Sequence, residues 1–373
     1  MMRQPISKAR MTSTPVANPT SAPHLINLAL QGGGSHGAFT WGVLDALLDD
    51  ARIEIEGISG ASAGAVNAVA LAHGLATAGQ KGATLQARQA ARASLRAIWE
   101  GVEAMGQLGA AAQSISKLMM GGWPSENVGA NFFTSAMSSW MSPYQSNPLD
   151  INPLRQLLAS HIDFAAIARH ASPKVFVSAT HVPTGQAAIF SGKRLSLDAV
   201  MASSCLPTVF KAVEIDGQAY WDGGFSSNPA LLPLINQCSS CDIIVVQLNP
   251  LKRDGAPKTP HDIMDRVNEL TFNASLLSQM RAIDFTNRLL ESGKLANGDK
   301  YKSLHLHRID GGEAMEELPA SSKMSADSAM IENLFDMGQR AAKRWLKRHF
   351  DALGQQSTVN IRKDYLGSVN QEF

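Results

Sequence analysis

The most constraining feature of the sequence is a G-x-S-x-G motif centred on Ser62, between a predicted strand and a predicted helix. The β-branched alternation at 52–56 predicts the strand, and the Ala-rich run Ala65–Ala76 predicts the helix. In this setting the motif forms a sharp turn that exposes the serine hydroxyl above a sheet. Gly60 and Gly64 leave room for the neighbouring strand and the start of the helix. Ser62 is therefore the candidate nucleophile, while a small-residue turn without chemistry remains the alternative.

A second glycine motif, QGGGSHG at 31–37, follows the predicted strand 25–30 and precedes a predicted helix at 38–48. A right-handed crossover between two parallel strands places both motifs at the carboxyl edge of the sheet. Glycine amides turn freely toward a ligand, and the helix that follows adds its positive end. The loop can therefore donate hydrogen bonds to an oxyanion, and the amide of Ala63 is a further candidate donor.

The same loop also fits a dinucleotide-binding fingerprint, with glycines at Gly32, Gly34 and Gly37. Glu54 or Glu56 lies near the distance expected for the acid that binds a ribose. The strand that carries these acids, however, runs directly into G-x-S-x-G, so the nucleophile turn takes the place of the ribose site. A dinucleotide-binding oxidoreductase stays the second hypothesis.

A serine nucleophile needs a base, and Asp222 is the first candidate. It ends a predicted hairpin strand, and Gly223 and Gly224 let the backbone turn and leave the carboxylate open. A carboxylate acts as a base when it lies about 2.6–3.2 Å from the hydroxyl oxygen. The usual order serine, acid, histidine leaves His305 or His307 as an alternative base, although both alternate inside a predicted strand.

The composition excludes several other classes of protein. The chain has 373 residues and a formal net charge of +1, which argues against nucleic acid as a partner. Three cysteines argue against a disulfide framework and favour a reducing compartment, and the C-x-x-C at 238–241 lacks the second pair of a zinc site. The sequence has neither a signal-peptide core nor a run of roughly 18 apolar residues. We therefore expect a cytoplasmic protein, with peripheral membrane contact allowed.

Three motifs, at 31–37, at 60–64 and at 222–224, resemble the three motifs of the patatin-like phospholipase family, in the family's order. The segments 202–207 and 228–229 also resemble the flanks of the family's aspartate. The resemblance covers roughly residues 25–250. It implies a three-layer α/β/α fold with a mostly parallel central sheet, which is a modified α/β-hydrolase-like architecture.

The resemblance also implies a site and a reaction. Ser62 is expected to be the nucleophile and Asp222 the general base, without a histidine. The reaction expected is cleavage of fatty acyl esters of phospholipids, lysophospholipids or neutral lipids through an acyl-enzyme, with no metal or other cofactor. A catalytically inactive lipid-binding protein of the same fold is a third hypothesis. The expected oxyanion donors are Gly33, Gly34 and Ser35, with Gly32 as a further candidate, and the supporting motif glycines are Gly37, Gly60, Gly64, Gly223 and Gly224.

The domain organisation is expected to have three parts. Residues 1–23 are rich in Ser, Thr, Pro and Ala and are expected to be disordered. Residues 24–310 form the expected catalytic domain, in which the Met-rich stretch 105–148 is either a lid or acyl pocket, or loosely patterned core. Residues 311–373 are expected to pack on that domain, with a last helix at about 326–350. Its basic end complements the helix dipole or contacts a membrane. A homodimer is a further expectation.

Overall fold

The structure is a computed structural model. Residues 1–21, which make up most of the segment expected to be disordered, lie outside the described residues. So do residues 120–141 of the Met-rich stretch and the side chains of 109–119. The described residues are 22–78, 84–119, 142–298, 301–318 and 320–367.

A mostly parallel sheet forms the middle of three layers, as predicted. Within the described residues it has eight strands, of which β3, β2, β1, β7 and β8 run parallel in that order. Strands β4, β5 and β6 are antiparallel to their neighbours. The strands are β1 His24–Leu30, β2 Ile53–Ala61, β3 Lys174–His181, β4 Ala187–Ser191, β5 Val213–Ile215, β6 Gln218–Asp222, β7 Asp242–Val246 and β8 His305–Ile309.

Helices cover both faces of the sheet because side chains of buried strands alternate between the two faces. On β1, Ile26 and Leu28 belong to the larger apolar core with helices α1, α2, α3 and α11, whereas Ala29 belongs to the core beneath α8 and α9. The helices are α1 Gly37–Asp49, α2 Ala63–Thr77, α3 Leu85–Met119, α4 Pro143–Ser146, α5 Pro153–His161, α6 Phe164–Arg169, α7 Leu197–Ser203, α8 Leu232–Gln237, α9 Pro260–Glu291, α10 Glu313–Glu316 and α11 Ser328–His349.

The local signals in the sequence place most of these elements correctly. The sequence predicts that helices begin at Asn152, Ser196 and Thr259. Each of these side chains accepts a hydrogen bond from a backbone amide in the first turn of the helix that follows. The sequence also predicts a hairpin turn at Asp216-Gly217, and both residues have the positive φ that such a two-residue turn requires. Two lengths were underestimated. The strand predicted at 52–56 continues to Ala61 as β2, and the helix that the sequence predicts at 84–104 continues to Met119 as α3.

The last long helix, α11, packs closely against α1. A Cβ added at Gly42 would collide with the carbonyl of Phe335, and one added at Gly338 would collide with the carbonyl of Phe39. The two helices therefore touch almost backbone to backbone, and the ring centroids of Trp41 and Phe335 lie 4.1 Å apart. The division of the chain at residue 310 stays a prediction. In the part of the chain that the structure describes, no helix is long and apolar enough to cross a membrane.

Candidate active site

Ser62 is the single residue between β2 and α2, and it has a strained backbone. Its φ is 53° and its ψ is −124°, a conformation that costs a residue with a side chain about 1–3 kcal/mol. Neighbouring groups hold it in place. Its amide donates to the hydroxyl of Ser203 over 2.9 Å, and its carbonyl accepts from the amides of Ala65 and Val66. The turn therefore has the geometry of the nucleophile elbow that the motif predicts.

The two glycine motifs lie in direct contact at the carboxyl edge of the sheet. Leu30, the last residue of β1, is in register with Gly60 on β2. A Cβ added at Gly32 would lie 2.8 Å from the Cβ of Ser62, and one added at Gly37 would lie 2.7 Å from that of Ala63. Side chains at these two positions would push the loop away from the serine, which explains why the motif needs glycine there.

Asp222 reaches Ser62 because two strands share one edge of β3. Strand β2 pairs with the first half of this edge and ends at Ala61, opposite Ser178. Strand β6 runs in the opposite direction along the same edge and ends at Asp222, opposite Ala179. Strand β4 takes the other edge of β3 over the same length. The ends of β2 and β6 therefore meet at adjacent positions, although 160 residues separate them along the chain.

The carboxyl group of Asp222 is fully buried, and only one of its two oxygens accepts a hydrogen bond from a described residue. Its Oδ1 accepts a hydrogen bond of 2.7 Å from the amide of Gly224, whereas Oδ2 has no partner among the described residues. Burial raises the pKa of Asp222 to about 7, while the Gly224 amide and the Ser62 hydroxyl beside the carboxylate act in the opposite direction. Such a carboxyl changes its protonation state near neutral pH, as a general base must.

The glycine loop presents unused amide groups beside the serine. A short 3₁₀ turn covers Gly34–His36, and Gly34 has a φ of 55°, which favours glycine. The amides of Gly33, Gly34 and Ser35 make no hydrogen bond to the described residues. The amide of Gly32, in contrast, donates to Oδ1 of Asn228 over 2.6 Å. Gly32 thus supports the loop, and the three amides that follow are the available donors.

The two histidines considered as an alternative base lie near the amino ends of the parallel strands, opposite the carboxyl edge that carries Ser62. Nε2 of His307 lies 3.0 Å from Oδ1 of Asp242, and Nδ1 of His305 lies 3.4 Å from the same oxygen. Asp242 begins β7, four residues before Val246, which is in register with Leu30. At about 3.3 Å per residue, this places the histidine pair roughly 13 Å from the carboxyl edge. The structure does not bring either histidine to Ser62.

The two acids that the dinucleotide hypothesis requires also lie away from the carboxyl edge. Glu54 and Glu56 lie in the first half of β2, and Glu56 accepts hydrogen bonds from the amides of Ser239 and Ser240. Neither acid is at the carboxyl edge, where a ribose would bind. The residues that the structure describes contain no cluster of three or more His, Cys, Asp or Glu side chains able to hold a metal ion.

Several supporting residues of the site were not identified from the sequence. Ser203 and Asn228 lie within segments already noted as similar to the family's, but nothing in the sequence indicated that they bind the backbone of Ser62 and Gly32. Asn249 and Lys323, which also support the glycine loop, have no local signal at all. Their positions depend on chain segments that only the folded sheet brings together.

The fold and this turn together define a class of proteins, the three-layer α/β folds with a mostly parallel sheet and a serine at a strand-to-helix turn. The sequence model described as "Patatin-like phospholipase" matches residues 28–235, which is more than half of the chain. The protein therefore belongs to the patatin-like phospholipase family, whose members are lipid acyl hydrolases. A search of curated proteins found no match.

A search of solved structures found VipD from Legionella pneumophila. It shares 18% sequence identity with this chain at a TM-score of 0.38, over 88% of this chain and 68% of its own. A likeness at this level does not bear on the site.

Proposed function

We propose that the protein is a serine lipid acyl hydrolase of the phospholipase A or lysophospholipase type, and that Ser62 and Asp222 act as a catalytic dyad. The observation that carries this proposal is the buried carboxyl of Asp222, whose Oδ2 has no partner and which lies beside the strained Ser62. A buried polar atom without a partner is costly, so its retention next to a nucleophile favours a chemical role.

In the proposed reaction, Asp222 removes the proton of the Ser62 hydroxyl as its oxygen attacks the ester carbonyl carbon. The amides of Gly33, Gly34 and Ser35 stabilise the resulting oxyanion, and the amide of Ala63 is a further donor. Asp222 then returns the proton to the departing alcohol, which leaves an acyl-enzyme. A water molecule gives a proton to Asp222 as its oxygen attacks the acyl carbon. Asp222 then passes this proton to the Ser62 oxygen as the bond to the acyl carbon breaks, which releases the fatty acid and restores both residues.

The pKa of Asp222 explains how an aspartate serves without a histidine. An ordinary aspartate with a pKa of 3.8 would be a weak base toward a serine hydroxyl, whereas one with a pKa of about 7 is a much stronger base and still ionised above neutral pH. The fold supplies this shift by burying the carboxyl completely.

The surface beside the site supports contact with a membrane. The first turns of α9 expose four apolar side chains, which are Ile263, Met264, Val267 and Leu270. The same helix reaches the site, since a Cβ added at Gly224 would collide with the ring of Phe272. Phe225, which is partly exposed, packs against Phe272 and continues the apolar surface. We propose that this surface rests on lipid while an acyl chain enters the site.

The homodimer expected from the sequence stays a prediction.

The proposal is tested with defined phospholipids, lysophospholipids and triglycerides, together with labelling by a serine-reactive fluorophosphonate. We expect hydrolysis and labelling in the wild type and in Ser59→Ala, and loss of both in Ser62→Ala. Ser59 is a matched control because it is a fully buried serine of the same strand, away from the turn. Labelling that persists in Ser62→Ala would reject Ser62 as the nucleophile. Vesicle binding by a wild type that neither labels nor hydrolyses would favour the inactive lipid-binding protein.

A further inference from the structure

A segment outside the region matched by the family model lies against the proposed oxyanion loop. The 3₁₀ turn Ala320–Met324 packs on the turn Gly34–His36. A Cβ added at Gly34 would collide with the carbonyl of Lys323, and the hydroxyl of Ser322 lies 2.7 Å from Nε2 of His36. The loop is thus enclosed from outside by the C-terminal part of the chain, which contributes a charged side chain to its support.

That side chain is Lys323, and it reaches the loop through Asn249. Nζ of Lys323 donates to Oδ1 of Asn249 over 2.6 Å. Nδ2 of Asn249 in turn donates to the carbonyl of Gly32 over 3.1 Å and to Oε1 of Gln31 over 3.2 Å. Asn228 holds the amide of Gly32 from the other side. Both polar groups of Gly32 are therefore bound to side chains.

The orientation of the Asn249 amide depends on the lysine. The two ends of an asparagine side chain have nearly the same shape but opposite hydrogen-bonding character. An ammonium group only donates, so it holds Oδ1 of Asn249 toward itself and leaves Nδ2 facing the two acceptor oxygens of Gly32 and Gln31. If the side chain turned over, its oxygen would face those two oxygens, and the amide would lose all three contacts.

The carbonyl of Gly32 has a direct geometric link to a proposed oxyanion donor. The carbonyl of one residue and the amide of the next lie in one rigid peptide plane. A hydrogen bond that holds the carbonyl of Gly32 therefore also fixes the direction in which the amide of Gly33 points. We propose that Lys323 is a positioning residue for the oxyanion loop, acting through Asn249 on the Gly32–Gly33 peptide. This inference rests on the proposed function, because it assigns the loop its role.

The charges around Lys323 make its contribution sensitive to pH. Burial lowers the pKa of its ammonium to about 8, and Arg253 acts in the same direction, while Glu269 and Asp265 oppose the shift. His36 is the other titratable group that faces Lys323, and burial together with this lysine lowers its pKa to about 4, so it stays neutral in the relevant range. As the pH rises through about 8, Lys323 loses its proton and its hold on Asn249 weakens.

The first measurement compares Lys323→Met with Lys323→Arg and with the control Lys302→Met. Lys302 is a partly buried lysine whose Nζ donates to the carbonyls of Cys238 and Ser240, at the far edge of the sheet. A misaligned amide acts on the transition state, so we expect kcat of Lys323→Met to fall by about 10- to 100-fold with little change in KM. Lys323→Arg should recover much of this loss, and Lys302→Met should keep the kcat of the wild type.

Two further readouts separate positioning from general stability. Wild-type kcat should decline above a pH of about 8, and Lys323→Arg should lack this decline because arginine stays charged. Hydrogen exchange of the amides at 32–37, read by mass spectrometry, should accelerate in Lys323→Met and not in Lys302→Met, whether or not the protein hydrolyses lipids. Unchanged kcat and unchanged exchange in Lys323→Met would overturn the inference, and so would equal losses in the two methionine variants. An inactive wild type whose loop still responds in exchange would refute the proposed function alone.

Discussion

Two buried aspartates at opposite edges of the sheet have opposite surroundings. Asp222, at the carboxyl edge, has one hydrogen bond to an amide and an oxygen without a partner among the described residues. Asp242, at the amino edge, lies beside His307 and His305, and both its oxygens accept from the amide of Gly354. Burial alone would raise both pKa values. It does so for Asp222, whereas the partners of Asp242 outweigh burial and lower its pKa.

The comparison shows that two carboxyl groups inside one fold can have pKa shifts of opposite sign, because Asp222 is buried more completely and Asp242 has more hydrogen-bond partners. A carboxylate that receives several donors is stabilised in its charged form and is a poor base. A carboxylate buried with one oxygen unpaired is destabilised in its charged form and readily takes a proton. The histidines that the sequence offered as an alternative base belong to the first kind of site, where they lie beside Asp242 and far from Ser62.

The largest expected difference between the two aspartates is in catalysis. Asp222→Asn should lower kcat by about 10²- to 10⁴-fold, the usual contribution of a general base. Asp242→Asn should leave kcat close to that of the wild type at temperatures where the variant is folded. The measurement is steady-state hydrolysis of one phospholipid by both variants. Similar rates for Asp222→Asn and the wild type would show that the unpaired carboxylate is not the base.

The order of the two aspartates is expected to be reversed for the free energy of unfolding, where changes at Asp242 cost more than changes at Asp222. Asp242→Ala leaves the amide of Gly354 and the ring of His307 without their partner, and each buried unsatisfied group costs about 1–3 kcal/mol. Asp222→Asn should cost less and can raise stability, because it removes a poorly solvated carboxylate. Urea unfolding monitored by circular dichroism gives both free energies. An Asp222→Asn variant less stable than Asp242→Ala would reverse the assignment of structural and reactive roles.

The two carboxyl groups should also respond to pH in opposite directions. The pKa of Asp222 lies at about 7 in the folded protein and near 3.8 when unfolded, so the folded form binds more protons between these values. Its contribution to the unfolding free energy therefore falls as the pH rises toward 7. The contribution of Asp242, whose pKa is lowered, is present above its unfolded pKa and is lost as the pH falls through the folded value.

The same pKa predicts the activity profile. Below a pH of about 7, kcat/KM should fall about tenfold per pH unit as Asp222 takes up a proton, and it should level off between about 7 and 8, before Lys323 loses its proton. The residual activity of Asp222→Asn should not show this decline toward acidic pH, whereas the activity of Asp242→Asn should still show it. A decline that persists unchanged in Asp222→Asn would assign the titration to another group.

The smallest expected effect concerns the support of the serine turn. Ser203→Ala removes the acceptor of the Ser62 amide, and one hydrogen bond of this kind contributes about 0.5–1.5 kcal/mol. Because the strained backbone of Ser62 depends on it, we expect kcat to fall by up to about tenfold while KM stays similar. Ser204→Ala, a change in the adjacent residue whose hydroxyl has no partner in the described part of the chain, is the matched control. Equal kcat values in the two variants would show that Ser203 is dispensable.

The sequence predicted the local elements well, and it placed the two glycine motifs at the same edge of the sheet. Cap residues and turn residues act over a few positions, which is why Thr259 and the Asp216-Gly217 turn placed a helix start and a hairpin correctly. The ends of long elements were less predictable, because β2 continues through Gly60 only where its neighbours on the sheet continue to pair with it. The burial of Asp222 could not be predicted, since the pairing of β6 beyond the end of β2 creates it.

The sequence by itself determined the glycine turns, the parallel βαβ unit and the family, because these depend on short-range steric requirements for small residues at fixed spacing. Only the tertiary structure decided which buried acid has an oxygen without a partner among the described residues and which has hydrogen bonds to both oxygens. It also decided that Asn228, Asn249 and Lys323 hold the glycine loop. The physical reason is that pKa values and long-range hydrogen bonds depend on the distances between groups. Those distances are set when distant segments meet along the edges of one sheet.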